Sequence, residues 1–222
     1  MNLCLFDLDH TLLPLDSDHE FGEFLIRIGL ADPLEYRRRN DGFYQQYAAG
    51  TLQLPEYIRF STSVWRELSL EEQAALQQRF MAEVVLPAIQ PQALQLVRDH
   101  EAQGDLLAIV TATNEFVTRP IADAFGVPDL LAVGLTRDPE GRVTGEIHGV
   151  PSFREGKITR VEQWLAERGQ TLADFERVSF YSDSPNDLPL LYLASDPVAT
   201  NPSPALEAVA RERGWRILRL FS

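Results

Sequence analysis

The stretch Leu3-Cys4-Leu5-Phe6-Asp7-Leu8-Asp9-His10-Thr11 decides the fold, because an apolar run ends there in carboxylates and a hydroxyl. Consecutive apolar residues are typical of a strand that is buried on both faces of a parallel sheet. The polar residues that follow are then expected at the carboxyl end of that strand. The stretch therefore predicts a central parallel strand with Asp7 and Asp9 at its end.

Similar apolar runs are spaced along the rest of the chain. Clear runs occupy residues 106–110 and 178–181, and weaker ones occupy 130–133, 197–199 and 216–220. Helical patterns lie between them, such as the segment from 91 to 103 that ends at Gly104. Residues 135–147 add a β-hairpin pattern with a turn at 138–141. Strands that alternate with helices predict an α/β fold with a doubly wound parallel sheet.

Residues 15–86 interrupt this alternation, since no clear strand run occurs there. Apolar residues at helical spacing open the segment: Phe21, Phe24, Leu25 and Ile28. Three more helical patterns follow, at residues 34–48, 55–68 and 70–85, the last with a capping box at Ser69 and Glu72. We therefore predict a helical cap domain of residues 15–86, inserted into an α/β core domain of residues 1–14 and 87–222.

Composition excludes several classes of protein. The chain has 222 residues, of which 45% are hydrophobic, and a formal net charge of −13. Such an acidic balance argues against nucleic-acid and anionic-membrane partners, which require concentrated Lys and Arg. No window approaches the roughly 18 apolar residues of a spanning helix, and no signal peptide is recognisable, so we expect a cytoplasmic protein. Cys4, the only cysteine, is expected to be buried and inert, and the sequence leaves the oligomeric state open.

Two clusters of polar residues follow the first two predicted strands. Asp7 and Asp9 are two residues apart, so one can act as a nucleophile while the other transfers protons. The alternative for this pair is a simple turn or helix cap. Thr111-Ala112-Thr113-Asn114 follows the second strand, and a hydroxyl there with the backbone amides after it can bind phosphate oxygens. An ordinary helix N-cap is again the alternative.

Two further candidates lie in the second half of the chain. Lys157, near the start of a predicted helix, could keep a nucleophilic carboxylate ionised and offset phosphate charge. Asp183-Ser184-Pro185-Asn186-Asp187 follows the strand at 178–181. Its carboxylates, placed beside those of the first strand, would form an all-oxygen site suited to Mg²⁺.

In this order the four clusters resemble the signature motifs of the haloacid dehalogenase superfamily. Asp7-x-Asp9-x-Thr11 is similar to the first motif, Thr111 to the second, Lys157 to the third, and the segment from Asp183 to Asp187 to the fourth. A helical insertion between the first two motifs resembles the subgroup that includes phosphoserine phosphatase. The resemblance implies a Rossmann-like core, a four-helix cap and a Mg²⁺-dependent phosphatase for a small phosphorylated metabolite.

The resemblance also implies a role for each residue. Asp7 would attack phosphorus to form an aspartyl-phosphate, and Asp9 would protonate the leaving alcohol and later activate water. Thr111 and Lys157 would hold the phosphoryl oxygens. The residues implied in the Mg²⁺ site are Asp7, the backbone carbonyl of Asp9, and Asp183, with Thr11, Asn186 and Asp187 in support.

Three alternatives differ in the chemistry they need. Cleavage of a carbon–halogen bond does not require an acid–base group two residues after the nucleophile, so Asp9 favours phosphate chemistry. A non-catalytic regulatory protein would be expected to lack at least one of the motif residues, and all are present. A phosphotransferase would use the same residues and differ only in excluding water.

The substrate is less well defined by the sequence. In phosphoserine phosphatases a cap carboxylate and a cap arginine bind the amino acid, and the matching positions here are Asp16 and Ser61, with Arg59 two residues away. We take Asp16 and Arg59 as candidate substrate-binding residues. Since the arginine position itself is a serine, an amino-alcohol phosphate such as histidinol phosphate suits the cap better than phosphoserine.

Two expectations concern residues near the site. His10 lies between Asp9 and Thr11, so its side chain is expected to point away from them and to be structural. The aromatic residues of the insertion are expected to form the core of the cap rather than a pocket wall, namely Tyr57, Phe60 and Trp65.

Overall fold

The computed structural model of the protein describes residues 1–221. Its strands are β1 (Leu3–Phe6), β2 (Leu106–Asn114), β3 (Leu130–Arg137), β4 (Val143–His148), β5 (Val178–Ser182), β6 (Asp196–Thr200) and β7 (Arg216–Leu218). They form one sheet in the order β4-β3-β2-β1-β5-β6-β7. All neighbouring pairs are parallel except β3 and β4, which form the expected antiparallel hairpin. The predicted α/β fold with a doubly wound parallel sheet is confirmed.

Ten α-helices accompany this sheet in the described residues. They are α1 (Ser17–Arg27), α2 (Glu35–Ala48), α3 (Leu54–Thr62), α4 (Leu70–Phe80), α5 (Leu86–Ala88), α6 (Pro91–Ala102), α7 (Glu115–Ala124), α8 (Glu155–Ala166), α9 (Leu188–Leu193) and α10 (Pro204–Arg213). A π-helical turn at Met81–Val85 joins α4 to α5. None of the helices across residues 1–221 has the length and apolar character needed to cross a bilayer.

Strand β1 lies at the centre of the sheet, and all four of its residues are buried. Its side chains alternate between two apolar cores. Leu3 and Leu5 contribute to the core beneath α8, α9 and α10, whereas Cys4 and Phe6 contribute to the core on the opposite face. Because both faces are covered, the strand is continuously apolar, as its sequence predicted.

The helical insertion between β1 and β2 packs directly on the sheet domain. The Trp65 ring stacks on Phe116 of α7 with centroids 3.8 Å apart, and Phe21 meets the same ring edge-on. Gln77 of α4 donates a hydrogen bond to the Phe116 carbonyl. The apolar core of the insertion is therefore continuous with the core on one face of the sheet. The domain limits at residues 15 and 86 remain a prediction.

Some elements end where the sequence did not indicate. The helix predicted over 55–68 ends at Thr62, because the hydroxyls of Thr62 and Ser63 donate to carbonyls of the preceding turn. The capping box of Ser69 and Glu72 is present as predicted. Strand β2 continues to Asn114, four residues beyond the predicted end at 110.

Gly22 sets the distance between α1 and α2. A Cβ atom at this position would lie 2.6 Å from Nδ2 of Asn40 and 3.1 Å from the Tyr36 ring. Only the absence of a side chain allows α2 to lie this close to α1. The close approach places Asn40 and the residues that follow it beside the first turn of α1, which forms part of the site described below.

Candidate active site

The register of the sheet brings three of the predicted motifs to one edge. Phe6 of β1 pairs with Ile109 of β2 on one side and with Tyr181 of β5 on the other. The amide of Asp7 then donates to the Tyr181 carbonyl at 2.9 Å. Asp7 and Asp183, which follow β1 and β5, and Thr111 of β2 consequently lie around one cavity.

Lys157 connects the first and fourth motifs. Its Nζ donates to Oδ1 of Asp7 and to Oδ2 of Asp187, each at 2.8 Å, and the side chain is 1% exposed. Burial alone would lower the pKa of this ammonium, but Asp187 and Asp7 outweigh burial and raise it. Lys157 is therefore a fixed positive charge beside Asp7. It is also the only lysine in the chain, so composition alone marks it as the one candidate lysine for this role.

The Asp7 carboxylate is buried and held from two sides. Oδ1 accepts from Lys157, and Oδ2 accepts from the Thr11 hydroxyl at 3.2 Å. Burial, together with the charge of nearby Asp187, outweighs the lowering effect of Lys157 and raises the pKa of Asp7 to about 6. Above pH 6 Asp7 is thus mostly ionised and oriented, as a nucleophile must be.

Asp183 adds a third carboxylate to this edge. Burial, followed by the charges of Asp7 and Asp187, raises its pKa well above the usual value. One ammonium faces three carboxylates here, so the donor set carries an excess of negative charge that a divalent cation would offset. Mg²⁺ commonly uses only one or two carboxylates and keeps several waters. The residues present fit such an ion, although the described residues contain no ready group of three His, Cys, Asp or Glu side chains around one point.

Asp9 is held by groups from two other segments. Its Oδ1 accepts from the Ser17 amide and its Oδ2 from the Thr113 hydroxyl, both at 2.9 Å. Burial, reinforced by the charge of Asp16, raises the pKa of Asp9 well above the ordinary range. A carboxyl group with a raised pKa can carry the proton that a leaving alcohol needs.

The second motif has a different geometry from the one predicted. Thr111, Ala112 and Thr113 line the cavity, but they belong to β2, and α7 begins only at Glu115. The Thr113 amide is engaged with Oγ1 of Thr111 at 3.1 Å, and the Thr113 hydroxyl with Asp9. The helix therefore begins later than the sequence indicated, and phosphate binding by Thr111 and the amides after it stays a prediction. The N-cap of α7 is Asn114.

The cavity extends from the sheet edge into the helical insertion. We call it the acidic cavity; its described lining is Asp7, Asp9, His10, Asp16, Asp18, His19, Asn40, Phe43, Tyr44, Tyr47, Leu52, Leu54, Tyr57, Thr111, Ala112, Thr113 and Asp183. Its walls combine carboxylates with aromatic rings, and no Lys or Arg is among these residues. Tyr57 was expected in the cap core but lines this cavity, whereas Trp65 and Phe60 are buried in the core as expected.

The two candidate substrate-binding residues of the cap, Asp16 and Arg59, lie in different places in the structure. Asp16 lines the acidic cavity and caps α1, with Oδ1 accepting from the amides of Asp18 and His19. Arg59 lies outside the cavity lining, where its exposed guanidinium pairs with Glu146 of β4 at 2.9 Å. Ser61 is buried and also lies outside that lining. The structure thus brings Asp16 to the site and places Arg59 on the hairpin, because α3 presents that side chain to β4.

His10 differs from its predicted role. Its φ angle of 56° is unusual for a residue with a side chain. The residue lines the acidic cavity, and its Nε2 atom is buried without a hydrogen-bond partner. A simple alternation along an extended chain predicted that the ring points away, and the left-handed backbone at this residue breaks that alternation.

Two contacts join the far side of the cavity to the insertion. Nδ2 of Asn186 donates to the Tyr47 carbonyl at 3.3 Å, and the Arg154 guanidinium donates to the Gly50 carbonyl. Asn186 and Asp187 therefore have different surroundings. Asp187 is buried, where it accepts from Lys157 and from the Ser182 hydroxyl, while Asn186 contacts the last turn of α2.

Comparisons with known proteins agree with this geometry. The pattern of the family described as haloacid dehalogenase-like hydrolase matches residues 4–192. A histidinol-phosphatase of Neisseria meningitidis serogroup C (strain 8013) is 44% identical over 98% of both chains. A solved protein of unknown function from Bordetella pertussis Tohama I is 51% identical over 99% of both chains, with a TM-score of 0.94.

A substrate-bound phosphoserine phosphatase structure shares the fold at 19% identity, with a TM-score of 0.67 and coverage of 98% of this chain and 92% of its own. The family match covers the sheet from β1 to β5, the insertion and all four motifs. The chain thus belongs to the haloacid dehalogenase-like hydrolase family, as one of its phosphatases.

Proposed function

We propose that the protein hydrolyses a small amino-alcohol phosphate of the histidinol phosphate type through an aspartyl-phosphate on Asp7. One observation carries the choice of substrate class. The acidic cavity that begins at Asp7 has carboxylates and aromatic rings in its walls, and no Lys or Arg among its described lining residues. Such a cavity is complementary to a cation and offers no Lys or Arg to a carboxylate on the substrate.

Phosphoserine fits this cavity less well than histidinol phosphate. Both esters carry an ammonium group near the ester oxygen, but phosphoserine also carries a carboxylate. Burial of that carboxylate beside Asp16 and Asp18 without a cationic partner would be unfavourable. An alcohol with a ring in place of the carboxylate would instead contact Tyr44, Tyr47 and Phe43.

The chemistry follows from the contacts at the sheet edge. Oδ2 or Oδ1 of Asp7 attacks phosphorus, the bond to the leaving oxygen breaks, and the proton on Asp9 passes to that oxygen. Asp9 then accepts a proton from the water that hydrolyses the aspartyl-phosphate, which restores both carboxyl groups. Lys157 supplies fixed positive charge to the phosphoryl oxygens, and the hydroxyl of Thr111, a residue of β2 in the cavity lining, would bind them as well.

We further propose that Mg²⁺ is the cofactor. Asp7, Asp183 and the backbone carbonyl of Asp9 would hold it, with Thr11, Asn186 and Asp187 supporting these residues. When bound, such an ion supplies positive charge that stabilises the transferring phosphoryl group. The excess of carboxylates over cations at this edge supports the assignment.

Residues 15–86 are proposed to act as a cap that covers the intermediate. The contacts of Asn186 with Tyr47 and of Arg154 with Gly50 lie at the side of the insertion where such a cap would meet the core. Covering the site would limit the aspartyl-phosphate to one controlled water. Structures with and without a phosphate mimic would show a change in cap orientation, and identical orientations would contradict this part of the proposal.

Phosphate release from a panel of esters tests the proposed function. The panel contains histidinol phosphate, phosphoserine and p-nitrophenyl phosphate, each with Mg²⁺ or EDTA, for the wild type and for Asp7→Asn. We expect the highest kcat/KM for histidinol phosphate, no turnover with EDTA, and a loss of at least about 10⁴-fold in the variant. A preference for phosphoserine would contradict the substrate class. Transfer of phosphate to an added alcohol in place of release would instead indicate a phosphotransferase.

A further inference from the structure

Four carboxylates of the acidic cavity form a series that begins at Asp7, the proposed nucleophile. Asp9 contacts the amide of Ser17, the first residue of α1. Asp16, the N-cap of that helix, acts electrostatically on both Asp9 and Asp18. Asp18 accepts from Nδ2 of Asn114, the last residue of β2, and lies beside Tyr57. The order Asp7, Asp9, Asp16, Asp18 therefore leads from the sheet edge into the insertion.

Asp18 is a buried carboxylate without a cationic side chain against it. The residue is 7% exposed, and its contact from Nδ2 of Asn114 is long, at 3.4 Å. The titratable groups around it are Asp16, His19, Tyr57 and Tyr36. His19 is itself paired with Asp41 at 3.0 Å. A buried carboxylate is normally paired, so this one has capacity for a ligand that donates an N–H.

Nε2 of His10 is a second polar atom in this cavity that a ligand could contact. Its Nε2 is buried and makes no hydrogen bond within residues 1–221. Polar atoms that are buried and unsatisfied in a native protein call for an explanation. Here a bound substrate would supply the missing partner, so the cavity is built for a ligand with more than one polar group.

The chemistry of a histidinol-type phosphate matches the order of the carboxylates. Its ammonium lies on the carbon next to the ester carbon, whereas its imidazole ring lies one carbon further. We infer that Asp16 faces the ammonium and that Asp18 binds an N–H of the ring, which makes Asp18 the residue that distinguishes ring-bearing substrates. This inference rests on the proposed function, and it adds the residue that selects the ring.

The Asp18 carboxyl and the imidazole of the substrate exchange protons in the same pH range. Burial, reinforced by Asp16, raises the pKa of Asp18 to about 7, close to the value of about 6.5 for an imidazole. Near neutral pH, carboxylate and ring therefore share one proton, and the hydrogen bond forms whichever partner holds it. The rings of Phe43, Tyr44 and Tyr47 can pack on the imidazole faces.

Kinetics of Asp18→Asn on two substrates test the inference. Histidinol phosphate carries ammonium and ring, whereas O-phosphoethanolamine carries the ammonium alone. We expect kcat/KM for histidinol phosphate to fall about 10- to 100-fold, mainly through KM. The value for O-phosphoethanolamine should stay within about twofold. Glu20→Gln is the matched control, since it removes one charge from the same helical turn outside the cavity lining, and it should change neither.

The outcomes separate this inference from the proposed function. An equal loss on both esters, with a lower melting temperature at pH 8, would show that Asp18 is merely structural and would overturn the inference. If the wild type prefers histidinol phosphate and Asp18→Asn keeps that preference, the inference fails and the proposed function stands. If the wild type does not prefer histidinol phosphate, both fail.

Discussion

The carboxyl edge of the sheet and the inner wall of the helical insertion are built by different means. At the edge, Asp7 and Asp183 follow directly on hydrogen-bonded strands, and Lys157 is fixed by two ion pairs. At the wall, Asp18, Asn40 and Tyr57 come from α1, α2 and α3, and α2 lies close to α1 only because residue 22 is a glycine. Strand register thus fixes the chemistry, whereas helix packing fixes the shape that selects a substrate.

This difference predicts that the two regions respond differently to mutation. Changes at the edge should impair all substrates alike, because every phosphate ester needs the same groups. Changes at the wall should affect some substrates and leave others untouched. Four variants, two at the edge and two in the insertion, distinguish these responses.

Lys157→Met should give the largest combined effect of the four, because it lowers both turnover and the stability of the fold. The variant leaves the buried carboxylates of Asp7 and Asp187 without their cation. We expect kcat to fall about 10²- to 10³-fold on every ester and the free energy of unfolding to fall by about 3–5 kcal/mol at pH 8. Steady-state kinetics and urea unfolding measure the two effects. Full activity in this variant would remove Lys157 from the proposed mechanism.

Asp9→Asn should lower kcat more for esters of alkyl alcohols than for p-nitrophenyl phosphate. An alkyl alcohol needs a proton as it leaves, whereas p-nitrophenolate leaves without one. We expect kcat to fall about 10²- to 10⁴-fold for histidinol phosphate and clearly less for p-nitrophenyl phosphate. Thr113→Val, which removes the hydroxyl on Asp9, serves as a milder companion. Equal losses on the two esters would contradict the assignment of Asp9 as the acid.

Asp18→Asn should stabilise the protein without ligand, and more so at higher pH. Burial raises the pKa of Asp18 from 3.8 to about 7. Between these values the folded state holds a proton that the unfolded chain has released, so the wild type loses stability as pH rises from about 4 to about 7. The gain in the variant should be absent below pH 4 and reach at most about 4 kcal/mol at pH 8. Urea unfolding at pH 4 and pH 8 measures it, and a gain that does not grow with pH would contradict the raised pKa.

Arg59→Ala should have the smallest effect. Its guanidinium forms an exposed ion pair with Glu146 on the hairpin, and such pairs contribute about 0–1 kcal/mol. We expect kcat/KM to stay within about twofold for histidinol phosphate and for phosphoserine. A selective loss on phosphoserine would show that Arg59 reaches the substrate after all, and would weaken the contrast between edge and wall.

The sequence by itself determined the edge of the sheet. Apolar runs that end in Asp7, Thr111 and Asp183 indicated parallel strands, and carboxyl ends of adjacent parallel strands must lie at one edge. The capping box at Ser69 and the hairpin turn at 138–141 could also be predicted, since hydrogen bonds between residues close in the chain define both. These predictions depend on neighbours in the chain or on one rule of sheet geometry.

Only the tertiary structure decided the wall of the cavity and the end of β2. Tyr57 faces the cavity and Phe60, three residues later, is buried, because α3 packs between α2 and β4. The same packing carries Arg59 to Glu146, and the left-handed backbone at His10 brings that ring to the cavity. Helical periodicity gives the apolar face of a helix but not the partner against which that face packs. The residues proposed to select the substrate depend on that partner, so they required the folded chain.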